Sequence, residues 1–298
     1  MNLELKNPKT LRTTRYTLRD FLRQIDLNNP KLKKIEAMLY GNFQSSKIGT
    51  GFDFNEIREY KIGDDLRHIS WSATAKTGTL HTREYFAEKE VNSFFLIDIS
   101  NSMFCGNKSE SFIQLLAFLL NIVCNFSEKI GGVFFSDEIK YHFPLGQPRI
   151  QSNIMFQTLI GFYNNLVTLV KEETDKVKTT NLFKALEFTK RYFVKKGMIF
   201  IISDFINLTS WEKLIFETGQ KQNIYSFQIY DPIDFNLPKT GYITIIDPET
   251  KELCTVNTDS KIIQETYYKF MIQNEEKLKR FLKSIGVNHM IIEKNDFN

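Results

Sequence analysis

The 298-residue sequence predicts a doubly wound α/β fold built on a mostly parallel sheet. Three observations carry this expectation. Runs such as "VNSFFLID" and "GMIFIIS" are apolar almost throughout, as strands buried on both faces are. Longer segments with apolar residues at helical spacing alternate with them. Two of the apolar runs end on an aspartate, Asp98 and Asp204, and sheets of this kind collect ligands at the carboxyl ends of their strands.

The elements follow in order. Residues 1 to about 40 read as helical, with Leu18, Phe21, Leu22 and Ile25 on one stripe. From about 41 to 90 the chain is rich in Gly, Ser, Thr and charge, which predicts loops and hairpins. A strand is then expected to end at Asp98, with a helix over 109–126 after it. "IGGVFFS" reads as a strand and "EIKYHFP" as an edge-like partner. Helices are expected over 147–170 and 180–194, the second capped by Thr180 or Asn181. "GMIFIIS" is a strand, 210–220 a helix and "NIYSFQIYD" a strand. "GYITIIDPETKELCTV" reads as a hairpin turning at Pro248-Glu249. A helix over 260–284 and the strand "VNHMIIE" close the chain. This divides the protein into an N-terminal helical and β-hairpin module, 1–90, and an α/β domain, 91–298, with a late hairpin insertion at about 241–257.

Composition narrows the function. The residues are 42% hydrophobic and 25% charged, with a net charge of +4. That balance is too mild to indicate nucleic acid without a dense basic patch. The most basic stretch, "NPKTLRTTRYTLRDFLRQIDLNNPKLKK", fits either a solvated helical face or a docking surface for an acidic partner. Three scattered cysteines without a CxxC exclude a disulfide framework and a cysteine-based zinc site. The start "MNLELKNPKT" has no signal-peptide apolar core. Residues 112–126 are apolar but too short for a span, and Gln114, Asn121 and Asn125 interrupt them. The expectation is a cytoplasmic protein without direct membrane insertion.

The chemistry concentrates in "LIDISNSMF", residues 96–104. Asp98, Ser100 and Ser102 alternate after a buried strand, so a loop there aims them into one concavity. A carboxylate with two hydroxyls is an all-oxygen set suited to a hard cation, Mg²⁺ with Mn²⁺ as a substitute. Asp and Ser also make caps and turns after strands, so the short motif alone is weak. Thr180, opening a helix, and Asp204, ending another strand, are expected at the same sheet edge.

A strand-end aspartate with Mg²⁺ also occurs in phosphoryl-transfer enzymes, which makes a phosphohydrolase using Asp98 the alternative. Such enzymes usually carry a second carboxylate two residues on, where this chain has Ser100. No motif fixes a lysine nearby, and no GxxxxGK[ST] loop is present. A non-enzymatic role is therefore expected.

Asp98, Ser100 and Ser102, then Thr180, then Asp204, resemble the metal-ion-dependent adhesion site of von Willebrand factor A domains. That resemblance implies a Rossmann-type fold, hydroxyls as direct ligands, aspartates acting through water, and a partner carboxylate completing the octahedron. A second resemblance covers about residue 35 to beyond 250. Gly49, Gly51, Phe54, Arg58, Tyr60, Gly63, Asp64, Asp65, Arg67, Ile69, Trp71 and Ala75 are similar in order and spacing to the block of the domain-of-unknown-function-58 family. "SDF" at 203–205, "YDPID" at 230–234 and "GYITIIDPET" at 241–250 match its later blocks. The chain departs from the family pattern at Ser70, Lys76 and Asp234, where Asp, Arg and Glu are usual.

This second resemblance implies a bacterial adaptor working with a MoxR-type AAA+ ATPase, with membrane-anchored A-domain proteins of the Bat kind, or with both, in assembly or maturation of complexes. Arg58, Asp64, Asp65, Arg67 and Trp71 are expected to form a network that locks the 41–90 segment onto the α/β domain, so that loss of Arg67 destabilises the chain, with a partner-docking surface as the alternative. Met103 and Phe104, beside Ser102, are expected either to pack under the first helix or to form an apolar rim that anchors a partner.

Overall fold

The computed structural model describes residues 18–23, 25–86, 91–104, 108–169, 180–206, 210–236, 239–246 and 253–297. It opens with α1 (Leu18–Leu22) and α2 (Pro30–Lys47). Pro30 takes the first helical position, and the Asn29 side chain accepts from the Lys31 amide at 2.9 Å, which caps the helix. Helix α2 runs seven residues past position 40, into the stretch whose composition predicts loops. Its buried side chains Leu32, Ile35, Leu39 and Phe43 recur at helical spacing and outweigh the polar residues around them.

Strands β1 (Ile48–Glu59) and β2 (His81–Phe86) pair antiparallel. Between them lie a 3-10 turn, Leu66–His68, and the short helix α3 (Trp71–Thr77). Gly78 ends α3 at φ 77°, the left-handed cap that only glycine adopts cheaply.

The main sheet begins at β3 (Asn92–Asp98), followed by a 3-10 turn, Asn101–Phe104, and α4 (Lys108–Phe126). Then come β4 (Lys129–Phe135), β5 (Ile139–Gly146), α5 (Pro148–Leu169), α6 (Leu182–Tyr192) and β6 (Gly197–Ser203). After α7 (Glu212–Gly219) and β7 (Asn223–Ile229), a 3-10 turn spans Pro232–Phe235. The hairpin β8 (Tyr242–Ile246) and β9 (Leu253–Asn257) leads into α8 (Lys261–Ser284) and β10 (Asn288–Ile292). The expected turn at Pro248-Glu249 falls outside the described residues.

Strand order is β10-β7-β6-β3-β4-β5, parallel except for β5, which is antiparallel to β4. From β3 the chain winds one way to β4 and β5, then crosses back to β6 and winds the other way. The order therefore reverses between β3 and β6. Helices cover both faces. Phe95 and Ile97 of β3 share one core with α1, α2, α4 and α5. Phe94 and Leu96 share the opposite one with α6, α7 and α8. Every residue of β3 and β6 is buried, which is why both read as continuous apolar runs.

Close strand contact has a requirement at Gly132 of β4. A Cβ there would lie 2.5 Å from the Phe95 carbonyl oxygen and 3.0 Å from Met155 Cε. Helix α4 is long and apolar enough by length and composition to cross a membrane, and most of it is buried within the protein. The Arg58–Asp64 pair at 2.7 Å and the Arg58–Glu84 pair at 3.6 Å join residues of the β1–β2 segment to one another. Among the described residues Arg67 pairs with Asp65, two positions away, at 2.6 Å, and its side chain is 87% exposed. Trp71 is 70% exposed. Among the described residues these ion pairs run within the segment and none of them reaches the α/β domain.

Candidate functional site at the strand switch point

Asp98 closes β3 and Asp204 follows β6, on the two strands that flank the reversal of strand order. Both side chains are buried, at 0% and 1% exposure. Asp98 Oδ1 accepts the Ser100 amide at 2.9 Å, and Oδ2 accepts the Ser203 hydroxyl at 2.7 Å. The first bond folds the chain back into an Asx turn, so Ser100 and Ser102 come onto one side. Their hydroxyls hydrogen-bond to each other at 3.0 Å. Burial, and then the charge of Asp204, push the Asp98 carboxyl up to about 7.

Thr180 is buried ahead of α6. The cap of that helix is Asn181, whose Oδ1 accepts from the Lys184 amide at 3.1 Å. Asn181 also donates its amide to the Ser136 carbonyl at 2.7 Å. Ser136 follows Phe135, the register partner of Asp98, so Thr180 sits on the same edge of the sheet.

Lys108 is a site residue the sequence did not reveal. It opens α4 with its side chain 2% exposed, and its ammonium reaches Asp204 at 3.1 Å and Asp234 at 2.9 Å. Burial alone would lower its pKa, but Asp204 and Asp234 more than reverse this and leave it raised. Asp234 thus serves as a carboxylate partner. Its own pKa is raised by burial, against the pull of Lys108. A signal existed: a lysine in the first turn of a helix opposes the helix dipole and must be held by something else.

Among the described residues no group of three or more His, Cys, Asp or Glu is arranged to hold a metal. A cation here would depend on hydroxyls plus two carboxylates. The hydroxyl pair fits such an ion, because adjacent ligands of an octahedral ion with bonds of about 2.1 Å stand about 3.0 Å apart.

Of the two readings for Met103 and Phe104, packing under the helix describes Met103, and Phe104 is half-buried. Met103 is fully buried in the core. Phe104 packs in a ring cluster with Phe112, Phe162 and Tyr163, at centroid distances of 5.7, 5.6 and 5.9 Å. Large apolar residues beside a turn gain more from the helix above them than from solvent.

Fold and site together define a doubly wound α/β protein with an oxygen-rich cluster at its switch point. The chain belongs to the family described as "Protein of unknown function DUF58", which matches residues 56–277. An uncharacterized protein of Mycobacterium bovis is 23% identical over 241 residues, covering 76% of this chain and 73% of that protein. An uncharacterized protein of Mycobacterium tuberculosis matches to the same extent. Among solved structures, the conserved hypothetical protein BatB from Bacteroides thetaiotaomicron aligns at 14% identity with a TM-score of 0.41, over 68% of this chain and 90% of that one. An aerotolerance-related membrane protein from Bacteroides fragilis aligns at 14% identity and a TM-score of 0.42, over 69% of this chain and 93% of that one.

Proposed function

We propose that the chain is a non-catalytic, Mg²⁺-dependent protein-interaction module of the von Willebrand A type. Asp98, Ser100, Ser102, Thr180 and Asp204 form its cation site. The single observation behind this reading is the 3.0 Å separation of the Ser100 and Ser102 hydroxyls, the spacing of two adjacent octahedral ligands, beside buried Asp98. Both oxygens of Asp98 already accept hydrogen bonds, so it suits an indirect role that orients hydroxyls and water. With neutral hydroxyls as direct ligands the ion keeps most of its charge and attracts a partner's carboxylate. The family resemblance suggests that this partner is a MoxR-type AAA+ ATPase, a membrane-anchored A-domain protein, or both, met on the cytoplasmic side.

Lys108 gives the alternative reading specific support, since an ammonium at the site is what a phosphohydrolase using Asp98 would need. Two features weigh against it. Lys108 is engaged by two carboxylates, and Asp98 is buried with both oxygens occupied, which suits a nucleophile poorly. The two-way test is capture of a co-expressed MoxR-type ATPase by wild type and Ser102→Ala, each with and without EDTA. The proposal expects EDTA to abolish capture by wild type and to add nothing in the variant. Capture unchanged by both treatments would remove the cation from recognition, and turnover of a generic phosphate ester would favour the enzyme.

A further inference from the structure

A cavity of about 510 Å³ opens beside this cluster, between the ends of β6 and β7, the start of α7 and one side of α8. Its apolar wall is aromatic. Phe205 meets Trp211 with ring centroids 6.0 Å apart, and Trp211 meets Phe281 edge-on at 5.6 Å. Carboxylates outnumber cations along the lining: Asp204, Glu212, Asp234 and Glu275 against Lys277. Lys108 offsets one of the Asp204 and Asp234 charges, Lys279 pairs with Glu275 at 2.5 Å and Lys277 stands against Glu212, so the lining keeps a surplus of one negative charge, on the Asp204–Asp234 pair.

Gln228, at the end of β7, lines the cavity and is only 6% exposed. Its Nε2 donates to the Asp204 carbonyl at 3.4 Å, while its Oε1 has no hydrogen-bond partner among the described residues. A buried acceptor left unpaired costs about 1–3 kcal/mol, so such groups are rarely kept without a use. The backbone of the same wall is strained. Phe205 sits at φ 56°, in the left-handed region that a bulky residue rarely adopts. The Ser203 hydroxyl accepts the Phe205 amide at 3.0 Å and holds it there.

We propose that this cavity binds an arginine side chain of a partner polypeptide. The missing group must donate, because the orphan atom is an acceptor. It must also carry positive charge, because the lining is acidic, and present a flat face to aromatic rings. A guanidinium does all three, with five N–H donors and no acceptor. Carboxylate and phosphate ligands meet acceptors and like charge, and a purely apolar ligand leaves Gln228 unpaired. The cavity is large enough for the arginine together with apolar residues flanking it in the partner.

The site does not require the cation, so its test is run in EDTA and its failure leaves the cation reading untouched. Trp211 is the reporter, in a Trp71→Phe background that removes the chain's other tryptophan. The probe is the peptide acetyl-Leu-Arg-Leu-amide, and its citrulline counterpart has the same shape without charge. The expected result is a saturable change in emission, with the citrulline peptide at least about tenfold weaker. Gln228→Met should weaken the arginine peptide about fivefold or more while leaving the melting temperature equal or higher, because it removes the orphan oxygen. Glu212→Gln, at an exposed position that tolerates change, should also weaken it. The proposal is overturned by equal binding of the two peptides, by unchanged affinity in Gln228→Met, or by no saturable change at millimolar peptide.

Discussion

Asp98 carries a proton longer than an ordinary carboxyl does, and this has a testable sign. Burial and Asp204 raise it to about 7 in the folded protein. In the unfolded chain it titrates near ~4. The folded state therefore binds this proton more tightly. The stabilisation it contributes is fully present below about pH 4 and is lost as pH rises through about 7. In Mg²⁺-free buffer, Asp98→Asn should match wild type at about pH 3 and exceed it by up to about 4 kcal/mol at about pH 8, measured by urea unfolding. Lys108 makes the opposite point. Replacing it with Met leaves buried Asp204 and half-buried Asp234 without this counter-ion and should cost about 3–5 kcal/mol in urea. The same change removes a cation from the site, so Mg²⁺ should bind the variant more tightly and restore part of the loss. At Arg67 no such effect is expected. Its pair is local and solvent-exposed, and the melting temperature of Arg67→Ala should equal that of wild type.

Among the elements, those that bury one clear stripe or run were legible in the sequence. Strands β3 and β6 announce themselves because all their residues are buried. Helix α4 does so because apolar residues at helical spacing fill it, and the polar Gln114 lies on a buried face without breaking the pattern. The start of α4 was harder. Lys108 reads as a solvated residue ahead of the helix, and only three-dimensional proximity to Asp204, 96 positions later, reveals its role. Met103 and Phe104 were ambiguous for a related reason: a turn residue faces solvent or core according to the helix that lands on it, and sequence does not fix that landing. The glycine pair in β4 was read only as part of a strand. Gly132→Ala would press its new Cβ into the Phe95 carbonyl oxygen of β3, 2.5 Å away. A loss of about 1–3 kcal/mol is expected in thermal or urea unfolding, with the six-stranded sheet as the part affected.

At the scale of the whole molecule, alternating strands and helices made the doubly wound class readable, and the two strand-end aspartates lie on one edge of the sheet, as expected. The strand order did not follow from sequence, since it depends on which faces the crossover helices choose. That order is what brings Asp98 and Asp204 to neighbouring strands at the reversal point. The N-terminal helices were legible as helices but not as part of the main core, where Leu32, Leu39 and Phe43 pack with residues of β3 and α4. Their apolar stripe says only that some surface covers them. The arginine cavity was likewise invisible, because it assembles Phe205, Gln228 and Phe281 from three separate elements.

The most direct test is calorimetric titration of Mg²⁺ into the purified chain at about pH 8, with wild type, Asp98→Ala and Ser102→Ala compared. A cation held by the Ser100 and Ser102 hydroxyls and oriented by Asp98 predicts saturable binding by wild type. Each variant should bind at least about tenfold more weakly, a loss of about 1.4 kcal/mol or more, while keeping its far-ultraviolet circular dichroism. Equal Mg²⁺ binding by all three folded proteins would contradict the assignment of these residues as a cation site.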